Sequence, residues 1–288
     1  MNCPICGSSE VNLFHDSVWG MENGSVHSCS RCNLFFINPV MSDEEEAEFY
    51  KNYNAHAAKR GFIKSAGVHE LHERSKTIAR ERYDIIQSQF SSATKVLEIG
   101  TSTGAFLELL GDKERYGVEL TQENRAFCGR FCVDTFEDIS KIPSQFKFDV
   151  ICMFHVFEHI KSPFPFLKEC CGHLNKGGKI IVEVPCIDDP LISLYNCKAY
   201  RDFYFQPMHP FIYSKKALEY VFDRADMQVL DFRYYQRYGL DNHLAWLTKG
   251  KPGGDSILAG LFASIDEYKN TLERAEKSDT IFFIAGLK

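Results

Sequence analysis

The stretch Lys95-Val-Leu-Glu-Ile-Gly-Thr-Ser-Thr-Gly104 decides how this sequence is read. An apolar run that meets an acid and then breaks into small residues predicts a buried strand over 95–99, a tight loop, and a helix from about Gly104. Gly100 and Gly104 permit positive φ and a close approach of ligand to backbone, and the amides opening the following helix can receive an anionic group. The spacing is Glu-x-Gly-x-x-x-Gly, so the dinucleotide fingerprint Gly-x-Gly-x-x-Gly does not fit.

Outward from this stretch, strands and helices alternate. Strands are expected at 95–99, 115–119, 132–134, 148–153, 179–184, 227–237 and 280–287. Helices are expected at about 104–111, 121–131, 163–174, 214–225 and 256–275, with Asn175-Lys-Gly-Gly178 as a turn before the 179–184 strand. This pattern predicts an α/β fold, a doubly wound, mostly parallel seven-stranded sheet with helices on both faces. Ahead of it, Ser42 caps an acid-rich helix through about Tyr53, residues 54–64 form a linker or lid, and a helix runs from Ser65 to Phe90. Leu71, Ile78, Tyr83, Ile85 and Ile86 are its expected core contacts, while His56, His69 and His72 are expected to face solvent.

In open α/β sheets the ligand lies beyond the carboxyl ends of the strands. Glu119 ends the second strand, 19 positions beyond Gly100, where a carboxylate can accept hydrogen bonds from both hydroxyls of a ribose. The fourth strand ends in His155-Val-Phe-Glu158-His159, side chains able to act as a base on an acceptor hydroxyl or to cap the following loop. Near the N-terminus, Cys3-x-x-Cys6 and Cys29-x-x-Cys32 are separated by 22 residues and are followed by Gly7 and Asn33. Two such turns complete a tetrahedral zinc site, and four thiolate ligands leave no open position, so the ion is structural.

Composition narrows the rest. With 44% hydrophobic and 25% charged residues and a net charge of −6, the chain reads as an ordinary globular protein, and the lack of a Lys/Arg cluster argues against a nucleic-acid partner. No apolar run reaches the ~18–20 residues of a membrane span, and the N-terminus lacks the regions of a signal peptide. A cytoplasmic location is therefore expected, which suits eleven cysteines, with Cys152, Cys170 and Cys171 as core packing.

The Glu98–Gly104 loop resembles the first motif of class I S-adenosylmethionine (SAM) methyltransferases, with Ser102 where that family usually carries a third glycine. The resemblance implies SAM as cofactor, Glu98 orienting its methionine end, and Thr135 and Phe136 in the region that meets adenine. His155-x-x-Glu158-His159 looks like a stretch common in small-molecule methyltransferases. The order of a four-cysteine module, a SAM domain and then Gln206-Pro-Met-His209-Pro-Phe-Ile-Tyr-Ser214 resembles a zinc-containing family that includes deoxysugar C-methyltransferases. There the His follows a Glu, with a Tyr two residues earlier; here Met208 and Gln206 stand instead, which suits His209 to taking a proton from a hydroxyl. The implied organisation is a zinc module over 1–40, a helical linker or lid over 41–92 and a SAM-binding domain over 93–288.

The expected activity is methyl transfer to a hydroxyl of a sugar or nucleotide-linked sugar, with His209 or His155 as base. Methylation of a phenolic or quinone-like molecule, methylation of RNA, and a SAM-binding scaffold are the competing readings. Tyr195, Tyr200, Tyr204 and Phe205, with Arg201 and Asp202, are expected either to cover the acceptor or to pack as a surface loop, and Asn242 and His243 are weaker acceptor-site candidates.

Overall fold

Continuous apolar runs can form strands buried on both faces, and consecutive residues then point to opposite layers. A computed structural model describes residues 1–51, 67–131, 133–254 and 265–288 and shows this arrangement. The strands are β1 (Val11–His15), β2 (Ser25–Cys29), β3 (Phe35–Asn38), β4 (Lys95–Ile99), β5 (Glu114–Val118), β6 (Asp134–Phe136), β7 (Phe148–Phe154), β8 (Leu174–Pro185), β9 (Phe211–Ile212), β10 (Met227–Tyr235) and β11 (Thr280–Leu287). Seven of them form one sheet in the order β10-β11-β8-β7-β4-β5-β6. Neighbours from β8 to β6 pair in parallel, whereas β11 is antiparallel to both β8 and β10. Leu97, Ile151, Met153, Val182 and Phe283 pack into the core on one face; Val96, Val150, Cys152, Ile181 and Phe282 fill the other.

The helix Val68–Ile86 corrects two expectations. Its buried positions are His72, Ala79 and Ile86, while Leu71 and Ile78 are 38% and 49% exposed. The buried seam is thus turned by one residue from the stripe of larger apolar side chains. His72 gains polar partners there: Nδ1 lies 3.1 Å from Thr103 Oγ1, Nε2 lies 3.1 Å from Glu108 Oε2, and the ring stacks on Phe131. His69 stays exposed beside Arg130. His56 and the expected lid at 54–64 lie outside the described residues, as do 256–264 of the expected 256–275 helix.

Other boundaries shift for local reasons. The helix after Gly104 is a single turn, Ala105–Glu108. Asn175–Gly178 does not separate helix from strand, because β8 already begins at Leu174 and absorbs Gly177 at φ 78°. The third strand of the expected series moves two residues on, to β6. Ser42 and Glu45 cap one another reciprocally at the start of the acid-rich helix Asp43–Lys51.

The N-terminal residues are not an independent lobe. β1, β2 and β3 form an antiparallel meander whose far edge pairs with β9, Phe35 opposite Ile212 and Phe36 opposite Phe211. Next to this ladder Ser214 Oγ accepts from Asn33 Nδ2 at 3.1 Å and from Ala217 N at 3.1 Å, and donates to the Asn33 carbonyl at 3.0 Å. One buried hydroxyl thus caps the helix Lys215–Arg224 and fastens the second cysteine turn to the body. Ser214→Ala removes the cap and strands the Asn33 groups. It should cost about 2 kcal/mol in urea unfolding; an unchanged midpoint would show that the two parts are held by other contacts.

Candidate functional site

Three residues in the loop after β4 have positive φ: Gly100 (75°), Ser102 (49°) and Gly104 (79°). Ser102 therefore keeps a conformation normally left to glycine, at a cost of about 1 kcal/mol. Its backbone amide donates to Glu119 Oε2 at 2.9 Å, and its carbonyl accepts from Cys128 Sγ at 3.4 Å. The amides of Gly100 and Thr101 are tied to the Val118 carbonyl at 2.8 and 3.1 Å. Gly117 is required by the same loop, because a Cβ there would lie 2.5 Å from Thr101 Cγ2. With that space open, Thr101 turns its hydroxyl onto Glu98 Oε2 at 2.8 Å.

Glu98 is 5% exposed. Burial pushes its carboxyl up to about 8, against the Thr101 hydrogen bond and the Arg82 charge, so it holds a proton at neutral pH. Glu119, half-buried just beyond β5, accepts from Ser102 N through one oxygen and from Thr121 N through the other at 2.8 Å. Leu120 beside it is 72% exposed. Thr135 and Phe136 lie one strand further out, where the Phe136 carbonyl accepts from Glu119 N at 3.0 Å. A cavity of about 70 Å³ opens between Glu98, Ser102, Phe154 and the long helix, which contributes Ser75 and Arg82. The sequence reading missed both of these, because the helix's apolar stripe does not mark the face turned to the loop.

At the end of β7, His155 has φ 55° and donates its backbone amide to the Glu183 carbonyl at 2.8 Å. Its Nδ1 lies 3.2 Å from Glu158 Oε1 and its Nε2 lies 3.2 Å from both Glu183 Oε1 and Arg237 Nη1. Glu183 also meets Arg82 Nε at 2.5 Å, and Arg237 is anchored on Asp279 at 3.0 Å. Burial opposes a charge on His155, but Glu183 and Glu158 outweigh it and raise its pKa. Burial also works against the Glu183 carboxylate, yet His155, Arg82 and Arg237 hold it down to about 2. His155 is thus held between two carboxylates, with the Arg237 guanidinium against the same Nε2. Glu183, Arg82 and Arg237 come from distant parts of the chain and had no motif to announce them.

Glu158 and His159 belong to a short turn, Phe157–His159, pinned by the buried Phe157 ring against Tyr213 and Phe222. His209 reaches the same place from the segment before β9. Its ring lies 4.7 Å from that of His159, its backbone amide donates to the Gln206 carbonyl, and Gln206 Nε2 is 3.2 Å from its Nε2. Glu158, His159 and His209 can each bring one ligand atom within 4.8 Å of the others. The four cysteine sulfurs likewise lie within 4.8 Å of one another, with the Cys3–Cys32 and Cys6–Cys29 pairs 3.6 and 3.4 Å apart. A tetrahedral zinc with Zn–S near 2.3 Å puts its sulfurs about 3.8 Å apart, so these thiols fit such an ion.

The aromatic segment packs as a wall. Phe205 is fully buried, Tyr200 donates to Asp189 at 2.6 Å, and Arg201 lies over Phe14. Tyr195 remains 38% exposed. His243 is buried with its ring nitrogens on Tyr268 and Gln236, and Asn242 bonds the Gly253 carbonyl. Neither belongs to the Glu158–His159–His209 group.

Residues 68–231, more than half of the chain, match the methyltransferase-domain family. No curated protein matches the sequence. Among solved structures, a SAM-dependent methyltransferase from Archaeoglobus fulgidus is 20% identical, with a TM-score of 0.53 over 81% of this chain and 98% of that one. A possible histamine N-methyltransferase from Thermotoga maritima is 19% identical, with a TM-score of 0.48 over 76% and 95% of the two chains. At such identity the likeness to the first is one of fold.

The Glu98 environment sets a pH dependence. Its carboxyl titrates near 4.5 when unfolded and about 8 when folded, so the unfolded state releases the proton first and wild-type stability falls as pH rises between those values. The slope approaches roughly 1.4 kcal/mol per pH unit. Glu98→Gln removes it, so the variant should gain on wild type from pH 5 to pH 8 in urea unfolding. A gap that stays constant over that range would mean Glu98 is ionised in the fold.

Proposed function

This chain belongs to the methyltransferase-domain family, and we propose that it is a SAM-dependent enzyme that methylates a hydroxyl of a sugar or nucleotide-linked sugar. The observation that carries the cofactor assignment is the Glu119 carboxylate. Each of its oxygens spends one lone pair on a loop amide, leaving the others for two ribose hydroxyls. Glu98 receives the methionine end, and Leu120, Thr135 and Phe136 flank the adenine. When bound, SAM supplies a methyl group already activated on a sulfonium, so the chain's task is to position and deprotonate the acceptor.

The acceptor end in this reading is the Glu158–His159–His209 cluster. Its polar, ionisable lining suits a polyhydroxyl acceptor better than a quinone, and the chain's net charge of −6 disfavours RNA. Of the two histidines expected as base, we retain His209. His155 has both ring nitrogens engaged, by Glu158 and by Glu183, and is better fitted to hold those carboxylates in place. His209 relieves the hydroxyl of its proton, directly or through an ion held beside it. The cysteine module takes a structural zinc, whose role is to fix the β1–β3 meander and, through β9, the segment carrying His209.

Two substitutions separate these roles. Glu119→Gln should weaken SAM binding in calorimetry roughly tenfold or more, the value of one charge-assisted hydrogen bond; unchanged affinity would remove Glu119 from the ribose role. His209→Ala should leave SAM affinity intact and lower single-turnover transfer to nucleotide-sugars by about a hundredfold or more. Full transfer in that variant would move the activating group elsewhere.

A further inference from the structure

Buried polar atoms nearly always find partners, so those that do not call for an explanation. Among the described residues, Glu158 Oε2 and His159 Nδ1 are buried without one. Glu158 is 1% exposed, and its other oxygen is engaged by His155 Nδ1. These neighbours in sequence are also two of the three residues whose ligand atoms converge with that of His209. A buried carboxylate with an unused oxygen, a half-buried imidazole whose buried Nδ1 is unused and a second imidazole 4.7 Å from the first form the donor set of a metal site.

We propose that Glu158, His159 and His209 bind one divalent first-row transition ion, distinct from the zinc of the cysteine module. Two imidazoles and one carboxylate are borderline-to-hard ligands, suited to zinc, iron, manganese or cobalt and unlike the all-thiolate set at the N-terminus. Three protein ligands leave coordination positions open, as catalytic sites do and four-cysteine sites do not. His155 supports the site from behind: bridging Glu158 and Glu183, it orients the ligating carboxylate as outer partners of metal ligands commonly do. The use of the open position rests on the function proposed above. There the ion takes the oxygen of an acceptor hydroxyl; the O–H bond breaks with its electron pair staying on oxygen, and the proton passes to solvent water. His209 then acts through the ion, not as a free base.

The test is a zinc count on the full-length protein. Zinc is the strictest probe among these ions apart from copper, because nitrogen and oxygen sites that hold manganese or iron bind it more tightly. Equilibrium dialysis against zinc, followed by elemental analysis, should give two ions per chain for wild type and one for His209→Ala. His159→Gln, a second and milder change, should also give one, and both variants should keep the thiolate–cobalt absorption of the cysteine site after cobalt substitution. One zinc in wild type, or two in both variants, overturns the proposal. Transfer measured on the same samples separates this from the functional reading. Two zinc ions with no transfer to nucleotide-sugars leaves the metal site standing and removes the acceptor, whereas full transfer with a single zinc keeps the enzyme and removes the ion.

Discussion

The two-residue ladder between β3 and β9 is the constraint on which the candidate site depends. Phe35 and Phe36 pair with Ile212 and Phe211, and the Ile37 amide extends the contact to the Pro210 carbonyl at 3.0 Å. His209 is the next residue back. A chain segment so short has little preference of its own, so its position is set by what it is paired to. The meander that carries the cysteine turns pairs with β9, and β9 brings one histidine to the turn carrying Glu158 and His159. Ser214 secures the other end of the same segment. An N-terminal module that might have been an appendage is thereby tied to the segment that carries a candidate site residue.

Along the sheet, two buried glutamates show how partners decide charge. Glu98 and Glu183 are 5% and 2% exposed, and both lie near the carboxyl ends of parallel strands. Glu98 has a hydroxyl as its direct hydrogen-bonding partner and is neutral at pH 7. Glu183 is enclosed by Arg82, His155 and Arg237 and stays ionised. One carboxyl is therefore able to give up its proton when a cationic group arrives, while the other is fixed as the centre of a charge network. The first property suits a binding site, the second a scaffold that holds His155 and, through it, Glu158.

Much of the main sheet was legible because its strands are apolar and their ends are marked. Thr280–Leu287 was read from end to end. The loop residues Glu98, Gly100, Ser102, Gly104 and Glu119 gather because they occupy adjacent strand ends, which the alternation of elements already implies. The small sheet was not legible: β1 to β3 carry few apolar residues in period, and β9 is two residues long. His72 was misread for a related reason, since its burial comes from Thr103, Glu108 and Phe131 and not from its own stripe. The network of Arg82, Glu183, Arg237 and Asp279 joins four regions distant in sequence, a fact of topology and not of local pattern.

The central claim is that the ends of β4 and β5 hold a nucleoside cofactor whose cationic amino-acid end meets a protonated Glu98. Calorimetric titration with SAM at pH 7, repeated in buffers of different ionisation enthalpy, tests it most directly. The account predicts saturable binding accompanied by release of a proton, because an ammonium beside Glu98 lowers its pKa from about 8. Absence of binding would contradict the account, and binding whose heat is the same in every buffer would contradict the place it gives to Glu98.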